Sequence, residues 1–111
     1  MELPEGIMRV ECPEPVEGLV WVYILFMHNG TLYVGMTHNV AKRLKRHIDG
    51  IGARQTRQIK EFELVYLEGP MAFQAATSRE HQLKRWSRAK KLALIQGDIE
   101  TLKSLSKSRE T

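Results

Sequence analysis

The sequence is poor in several features that would by themselves define a class of protein. Its 111 residues include one cysteine, Cys12, so the chain cannot form an internal disulfide, and one thiol is too few for a zinc site built from cysteines. No apolar run approaches the ~20 residues that cross a bilayer. The first residues also lack the basic and then apolar segments of a signal peptide. These absences exclude a disulfide-stabilised or membrane-spanning protein, and we expect a cytoplasmic location.

Length and composition predict one folded domain. A chain of 111 residues is too short for two domains that each bury a core. It is 42% hydrophobic and 27% charged, as is typical of a globular protein, and it shows no internal repeat. We expect a single domain over residues 19–106, preceded by an acidic leader over 1–18 and followed by a frayed tail over 107–111.

Charge is distributed unevenly along the chain. Residues 1–20 hold five glutamates and one arginine, a net charge of −4, whereas the remaining 91 residues hold 16 bases and eight acids, a net charge of +8. A basic body of this kind is typical of proteins that bind a polyanion, with nucleic acid the first candidate. A solvated surface uses the same lysines and arginines, so charge alone does not decide between the two. The acidic leader contains three prolines and is expected to be loosely ordered.

Residues 19–35 predict a β-hairpin. The apolar, β-branched run LVWVYILFM is followed by the turn-forming sequence HNG and then by TLYVG. A two-residue Asn-Gly turn would place Phe26 opposite Tyr33. A three-residue turn, with Gly30 in the left-handed conformation, would instead place Leu25 opposite Tyr33.

The side-chain pattern favours the three-residue turn. In that register one face of the hairpin is wholly apolar, and the other is mixed and holds both Tyr23 and Tyr33. Such a partition is typical of a sheet with helices on one side. The apolar face would comprise Val22, Ile24, Phe26, Leu32, Val34 and Met36, and the mixed face Tyr23, Leu25, Met27, Thr31, Tyr33 and Gly35.

The segment after the hairpin predicts an amphipathic helix. Asn39 is a suitable N-cap, and the apolar residues Val40, Leu44 and Ile48 recur at four-residue spacing. We therefore expect a helix over residues 40–48 that buries these three side chains.

The second half of the chain predicts one strand and three helices. Gly69-Pro70 separates the apolar segment FELVYLE from a long helical pattern, which it is expected to open, because proline is tolerated in the first turn of a helix. Ser87 and Asp98 are suitable N-caps of two shorter helices. The strand is expected over 62–68 and the helices over 71–86, 88–96 and 99–106. The order β-β-α-β-α-α-α indicates an α+β domain with a three-stranded, mainly antiparallel sheet flanked by helices.

One residue of the long helix breaks its apolar pattern. At about 100° per residue, Phe73, Ala76, Glu80 and Leu83 share one face, so a carboxylate lies on the stripe that is expected to pack on the sheet. Burial of an unpaired carboxylate is costly, so Glu80 would need a cation, a hydrogen-bond donor or a metal. A simpler arrangement places Glu80 at the edge of the stripe, paired with Lys84 one turn later. Periodicity leaves both arrangements open.

Five positions together resemble the GIY-YIG endonuclease family. Tyr23, in Trp-Val-Tyr, and Tyr33, in Tyr-Val-Gly, lie ten residues apart and are similar to the tyrosines of the family's paired motifs. Arg43 and His47 resemble the arginine and histidine of its first helix, and Glu80 resembles its metal-binding glutamate. The resemblance covers about residues 20–96.

A loop between the first helix and the third strand narrows the resemblance to one branch. Its residues Gly50, Gly52, Ala53, Thr56 and Arg57, with the later segments QLK and SRA, are similar to small single-domain bacterial proteins. These proteins are related to the GIY-YIG nuclease domain of the bacterial excinuclease.

The resemblance implies a divalent-metal-dependent endonuclease that hydrolyses phosphodiester bonds in DNA, in DNA repair or recombination. Glu80 would hold one Mg²⁺ or Mn²⁺ ion, and Arg43 would clamp the oxygens of the phosphate. Tyr33, assisted by Tyr23 or His47, would orient or deprotonate the attacking water.

The expected contacts with DNA are largely independent of its sequence. Gly35 is expected to let a phosphate approach the backbone, and Arg54, Arg57 and Lys84 could follow the phosphates of a strand. No segment resembles an element that reads base edges.

Three departures from the family pattern keep an alternative open. The first motif reads Trp-Val-Tyr rather than Gly-Ile-Tyr, Met36 stands where some relatives have a lysine, and no asparagine matches the one that several members carry after the glutamate helix. A non-catalytic module on the same scaffold, which binds nucleic acid or recruits a repair complex, would carry the same residues. Repair proteins are therefore expected partners beside DNA.

Overall fold

The first two strands pair in the register that the three-residue turn requires. The computed structural model describes residues 2–48 and 61–110, with side chains to residue 106. Strand β1 spans Val20–Met27 and strand β2 spans Leu32–Thr37. Leu25 lies opposite Tyr33, and Gly30 closes the turn at φ 88°, where a residue with a side chain would be strained. This confirms the predicted turn.

Strand β3, Phe62–Met71, pairs with the other edge of β1 and runs past its predicted end. The sheet has the order β2-β1-β3 and both pairings are antiparallel. The prediction that Gly69-Pro70 ends the strand and opens a helix is wrong. Val22 faces Glu68 and Val20 faces Met71, so β3 has one residue more than β1 there and Gly69-Pro70 forms a bulge. Proline is tolerated here because β3 is an edge strand of the described sheet.

Four helices complete the predicted order, and they cover both faces of the sheet rather than one. The helices are α1, Val40–Ile48; α2, Phe73–Arg85; α3, Arg88–Gln96; and α4, Ile99–Glu110. Side chains of α2 and α3 pack on the face that carries Val22, Ile24 and Phe26, called here the aliphatic face. Helix α1 packs on the opposite face, called the tyrosine face because it carries Tyr23 and Tyr33. The α+β class is confirmed.

The helices begin at the residues that the sequence indicated. The side chain of Asn39 accepts a hydrogen bond from the Lys42 amide at 3.1 Å, and that of Asp98 accepts one from the Thr101 amide at 3.1 Å. Ser87 caps α3 in the same way. Each cap satisfies an amide that the helix itself leaves without a partner. Only α2 begins differently, at Phe73, and no side chain caps it.

The buried stripe of α1 differs from the predicted one at its last position. Ile48 is 59% exposed, whereas His47 is 2% exposed. Measured from Val40, His47 lies about 20° away around the helix and Ile48 about 80° away, because a turn takes about 3.6 residues. Seven residues therefore return to the sheet more closely than eight, and a histidine occupies the core position.

The acidic leader is anchored at two points on either side of β3. Ile7 is 6% exposed and lies in the core of the aliphatic face. Val10 packs at the tyrosine face, and its amide donates to the Leu64 carbonyl at 2.8 Å. The leader thus passes over an edge strand whose backbone groups would otherwise be open to another chain. The expectation of a loosely ordered segment does not describe these residues. Among the described residues no helix is long and apolar enough to cross a membrane.

We expect Ile7→Ala to lower the free energy of unfolding by about 2 kcal/mol or more, since it removes buried methyl and methylene groups. The neighbouring Met8→Ala is a matched control, because Met8 is 78% exposed. Urea denaturation of both variants measures the difference. Equal stability of the two would contradict the anchoring of the leader.

Candidate active site

The hairpin seats two tyrosines side by side on the tyrosine face. The ring centroids of Tyr23 and Tyr33 lie 6.5 Å apart, with 32° between the ring planes. Tyr23 lies opposite Gly35 across the β1–β2 pair. A Cβ atom on Gly35 would come within 2.5 Å of the Tyr23 hydroxyl oxygen and 2.6 Å of Cζ. The space beside Gly35 is therefore filled by Tyr23 rather than open to a phosphate on this side.

Tyr23 holds its proton firmly. Its side chain is fully buried, and burial, reinforced by Tyr33 and Glu80, raises the pKa of Tyr23 to about 12. Arg43 lies beside the hydroxyl and acts in the opposite direction, but more weakly. The hydroxyl makes no hydrogen bond of standard geometry within the described part of the chain. Tyr23 is thus the neutral phenol of the pair at physiological pH.

Helix α1 brings Arg43 and His47 to the same place, since they are one turn apart. The His47 ring meets the Tyr33 ring edge to face at 5.5 Å and the Phe62 ring at 6.0 Å. Burial, followed by the charges of Arg43 and Arg46, lowers the pKa of His47. The imidazole is therefore neutral at pH 7.

Glu80 approaches this cluster from the other side of the sheet. It lies on α2, which packs on the aliphatic face, and α2 runs beside β2, where Thr77 Oγ1 lies 3.9 Å from Met36 Sδ. The Glu80 side chain is 14% exposed, and its Oε2 lies 3.4 Å from Lys84 Nζ. Glu80 sits at the edge of its stripe and pairs with Lys84, as the simpler arrangement predicted. Its charge also contributes to the raised pKa of Tyr23, so the two groups interact across the β2 edge.

A second carboxylate near this helix is fully engaged. Glu68 accepts hydrogen bonds from Arg79 Nε at 2.8 Å, from Arg79 Nη2 at 3.0 Å and from the Tyr66 hydroxyl at 2.5 Å. Arg79 also lies over the Trp86 ring, 5.2 Å from its centroid. This network joins β3 to α2 and leaves Glu68 no free direction for a ligand.

The described residues hold no ready-made metal cage, because no three of their histidine, cysteine, aspartate and glutamate side chains cluster. They do offer Glu80, a partly exposed carboxylate whose partner Lys84 is half exposed. Mg²⁺ and related hard cations are commonly bound by one or two carboxylates, with water and substrate oxygens completing the shell. Glu80 therefore fits a cation that binds together with a phosphate.

A basic groove of about 440 Å³ adjoins Arg43, and the sequence analysis did not single it out. Its cationic wall is formed by Lys42, Arg43 and Arg46, and Phe73 at the start of α2 also lines it. The remaining lining residues are Val20, Met36, Thr37, His38 and Asn39. The four-residue spacing of Lys42 and Arg46 was a usable signal, since it places both on one side of α1.

The structure therefore brings four of the five proposed catalytic residues together on the tyrosine face and places Glu80 at the adjoining edge. Among the residues expected to contact DNA, Gly35 adjoins the cluster, and Lys84 pairs with Glu80. Arg54 and Arg57 lie outside the described residues.

Comparisons with known proteins agree with this arrangement. The model of the GIY-YIG catalytic domain matches residues 19–93. A UPF0213 protein of Syntrophus aciditrophicus is 41% identical over 83 residues, 74% of this chain and 95% of that protein. A UPF0213 protein of Natronomonas pharaonis is 44% identical over 75 residues, 68% of this chain and 88% of that protein. The solution NMR structure of a UPF0213 protein from Bacillus halodurans is 36% identical and covers 69% of this chain and 82% of that one, with a TM-score of 0.47.

We expect Gly35→Ala to cost about 1–3 kcal/mol of stability, since the new methyl group meets the Tyr23 ring. The cost is expected to be smaller in a Tyr23→Leu background, where the opposing ring is absent. Urea denaturation of the two single variants and the double variant measures this coupling. An equal cost in both backgrounds would show that Tyr23 does not occupy the space beside Gly35.

We expect the buried His47 to make the protein less stable in mild acid. The pKa of His47 is lowered in the folded state, so the unfolded chain binds the proton first and the free energy of unfolding falls as the pH drops below about 6.5. Urea denaturation at about pH 7.5 and about pH 5.5 is expected to show a smaller loss for His47→Gln than for the wild type. His81→Gln, which changes an exposed histidine, is the control and is expected to match the wild type. Equal losses for His47→Gln and the wild type would contradict this assignment.

Proposed function

The chain belongs to the GIY-YIG family, and we propose that it is a divalent-metal-dependent endonuclease that hydrolyses phosphodiester bonds in DNA. The observation that carries the proposal is the convergence of two phenols, a guanidinium and an imidazole, with Tyr33 between Tyr23 at 6.5 Å and His47 at 5.5 Å. A core built only for stability would be expected to hold apolar side chains here.

The two tyrosines take different roles in the proposed reaction. Tyr23, whose pKa is raised to about 12, keeps its proton and can donate a hydrogen bond. Tyr33 is only partly buried and therefore reaches the solvent from which the attacking water comes. We assign to Tyr33 the orientation of that water and the acceptance of its proton. His47, neutral and packed edge to face on Tyr33, holds the phenol in place without adding a charge.

Arg43 is proposed to bind the phosphate. Its planar guanidinium can contact two non-bridging oxygens at once, and it makes no ion pair with a described carboxylate. Arg43 also lowers the pKa of the Tyr23 hydroxyl beside it, so the positive charge lies where negative charge develops during hydrolysis.

Glu80 is proposed to hold one Mg²⁺ or Mn²⁺ ion with water and substrate oxygens. The bound cation would supply positive charge to the phosphate and the leaving oxygen. Lys84, half exposed, can leave the carboxylate and pair with a neighbouring phosphate. The net charge of +8 over residues 21–111 supports DNA as the polyanion, bound largely without regard to sequence, in repair or recombination.

We expect the purified protein to nick supercoiled plasmid with Mg²⁺ or Mn²⁺ and to lose this activity in EDTA. Glu80→Gln keeps the shape of the side chain and removes its charge, so we expect nicking to fall by at least about a hundredfold. Gel analysis of plasmid forms over time measures the rate.

Glu100→Gln is the matched control, since Glu100 is an exposed glutamate in the first turn of α4. It is expected to nick at the wild-type rate, and both variants are expected to melt as folded proteins. Undiminished nicking by Glu80→Gln would reject the role of Glu80. Salt-sensitive DNA binding without nicking under either cation would overturn the enzyme in favour of a binding module.

A further inference from the structure

We infer that the basic groove binds a single-stranded segment of nucleic acid, with phosphates on Lys42 and Arg46 and one unpaired base stacked on Phe73. The inference rests on the proposed function for the position of the cleaved phosphate, and it names the class of substrate. It also makes a statement about binding that can be tested without cleavage.

The cationic wall of the groove has positive charge to offer. Neither Lys42 nor Arg46 makes an ion pair with a described carboxylate, and α1 contains no acidic residue. Lys42 and Arg46 lie one turn apart, on either side of Arg43 in the sequence. Phosphates that follow this helix would meet Arg43 between two further cations, so the groove continues the site proposed for the cleaved phosphate.

Phe73 supplies the second kind of contact. It is 57% exposed, and within the described part of the chain it is the one aromatic residue among the strongly exposed large apolar side chains. A single exposed apolar residue is ordinary on a protein surface. Phe73 differs because it lines the same groove as three cations. A basic groove with an aromatic platform is the arrangement that binds single-stranded nucleic acid, in which bases stack on the ring.

The dimensions of the groove favour a single strand over a duplex. A volume of about 440 Å³ lies in the range of sites that hold one small organic ligand, and thus one nucleotide rather than a double helix. In a duplex, each base is stacked between its neighbours and cannot offer a face to Phe73. An unpaired base has that face free.

The position of Phe73 on α2 relates the stacked base to the cleaved bond. Phe73 and Glu80 are two turns apart on one helix, roughly 10 Å along its axis. Stacked nucleotides rise about 3.4 Å each, so the unpaired base would lie within about three nucleotides of the phosphate at Glu80. The favoured substrate is therefore DNA with unpaired nucleotides beside the cleavage position.

The test compares strands that have equal phosphate charge and differ in their bases. Fluorescence anisotropy in EDTA, where cleavage is absent, is measured with labelled oligothymidylate of about 12 nucleotides, an abasic strand of the same length and a matched duplex. We expect oligothymidylate to bind about tenfold more tightly than the abasic strand, as one stacked base would provide.

Phe73→Ala is expected to abolish the difference between the two strands while leaving binding of the abasic strand unchanged. Ile99→Ala is the matched control, because Ile99 is equally exposed but lies on α4. The double variant Lys42→Ala/Arg46→Ala is expected to weaken binding of all three probes and to reduce its dependence on salt.

The inference is overturned if the wild type binds the oligothymidylate and abasic strands equally, or if Phe73→Ala retains the difference. Its failure is distinguishable from failure of the proposed enzyme. Metal-dependent nicking that requires Glu80, without any preference for bases, would reject this inference alone. A preference that depends on Phe73, without nicking, would support the groove as a single-strand site and reject only the hydrolysis.

Discussion

The candidate site depends on one packing constraint, the seating of the Tyr23 ring in the space that Gly35 leaves empty. This contact exists only in the register that places Tyr23 opposite Gly35, and the three-residue turn fixes that register. A shift by one residue would send Tyr23 and Tyr33 to opposite faces. It would also expose an aliphatic face that now packs on α2. The same contact that stabilises the hairpin thus keeps the two phenols together and buries the hydroxyl of Tyr23, whose proton is held for that reason.

The elements that the sequence predicted well are those specified by contacts between near neighbours. The turn at Gly30 and the caps at Asn39, Ser87 and Asp98 each act within about three residues, so their chemistry is visible in a short window. The site was predictable for a different reason. Two tyrosines, an arginine, a histidine and a glutamate occur at a family's spacing, and the residues between them fold as that family requires. The three-dimensional convergence was inferred from the resemblance and not from local rules.

The features that the sequence did not reveal depend on partners far along the chain. Pro70 remains in a strand because β3 lies at an edge and its end pairs with Val20, a neighbour that no local pattern shows. Ile7 is buried because the leader crosses that edge to the aliphatic face. The groove between α1 and α2 is formed by residues from both halves of the chain, so Phe73 looked like an ordinary member of an apolar stripe until its exposure was known.

The pairing of Glu80 with Lys84 follows from the same sheet-edge geometry and is compatible with a role in metal binding. A carboxylate that is mostly buried and close to a neutral phenol needs a positive charge nearby at all times. An i,i+4 ion pair with a half-exposed lysine contributes only about 0.3–0.5 kcal/mol, so a cation and a phosphate can replace it at little cost. Lys84 then acts as a counter-charge that keeps Glu80 ionised before substrate arrives and moves to the substrate afterwards. One carboxylate is sufficient in such a site because the polyanion itself supplies the remaining oxygens.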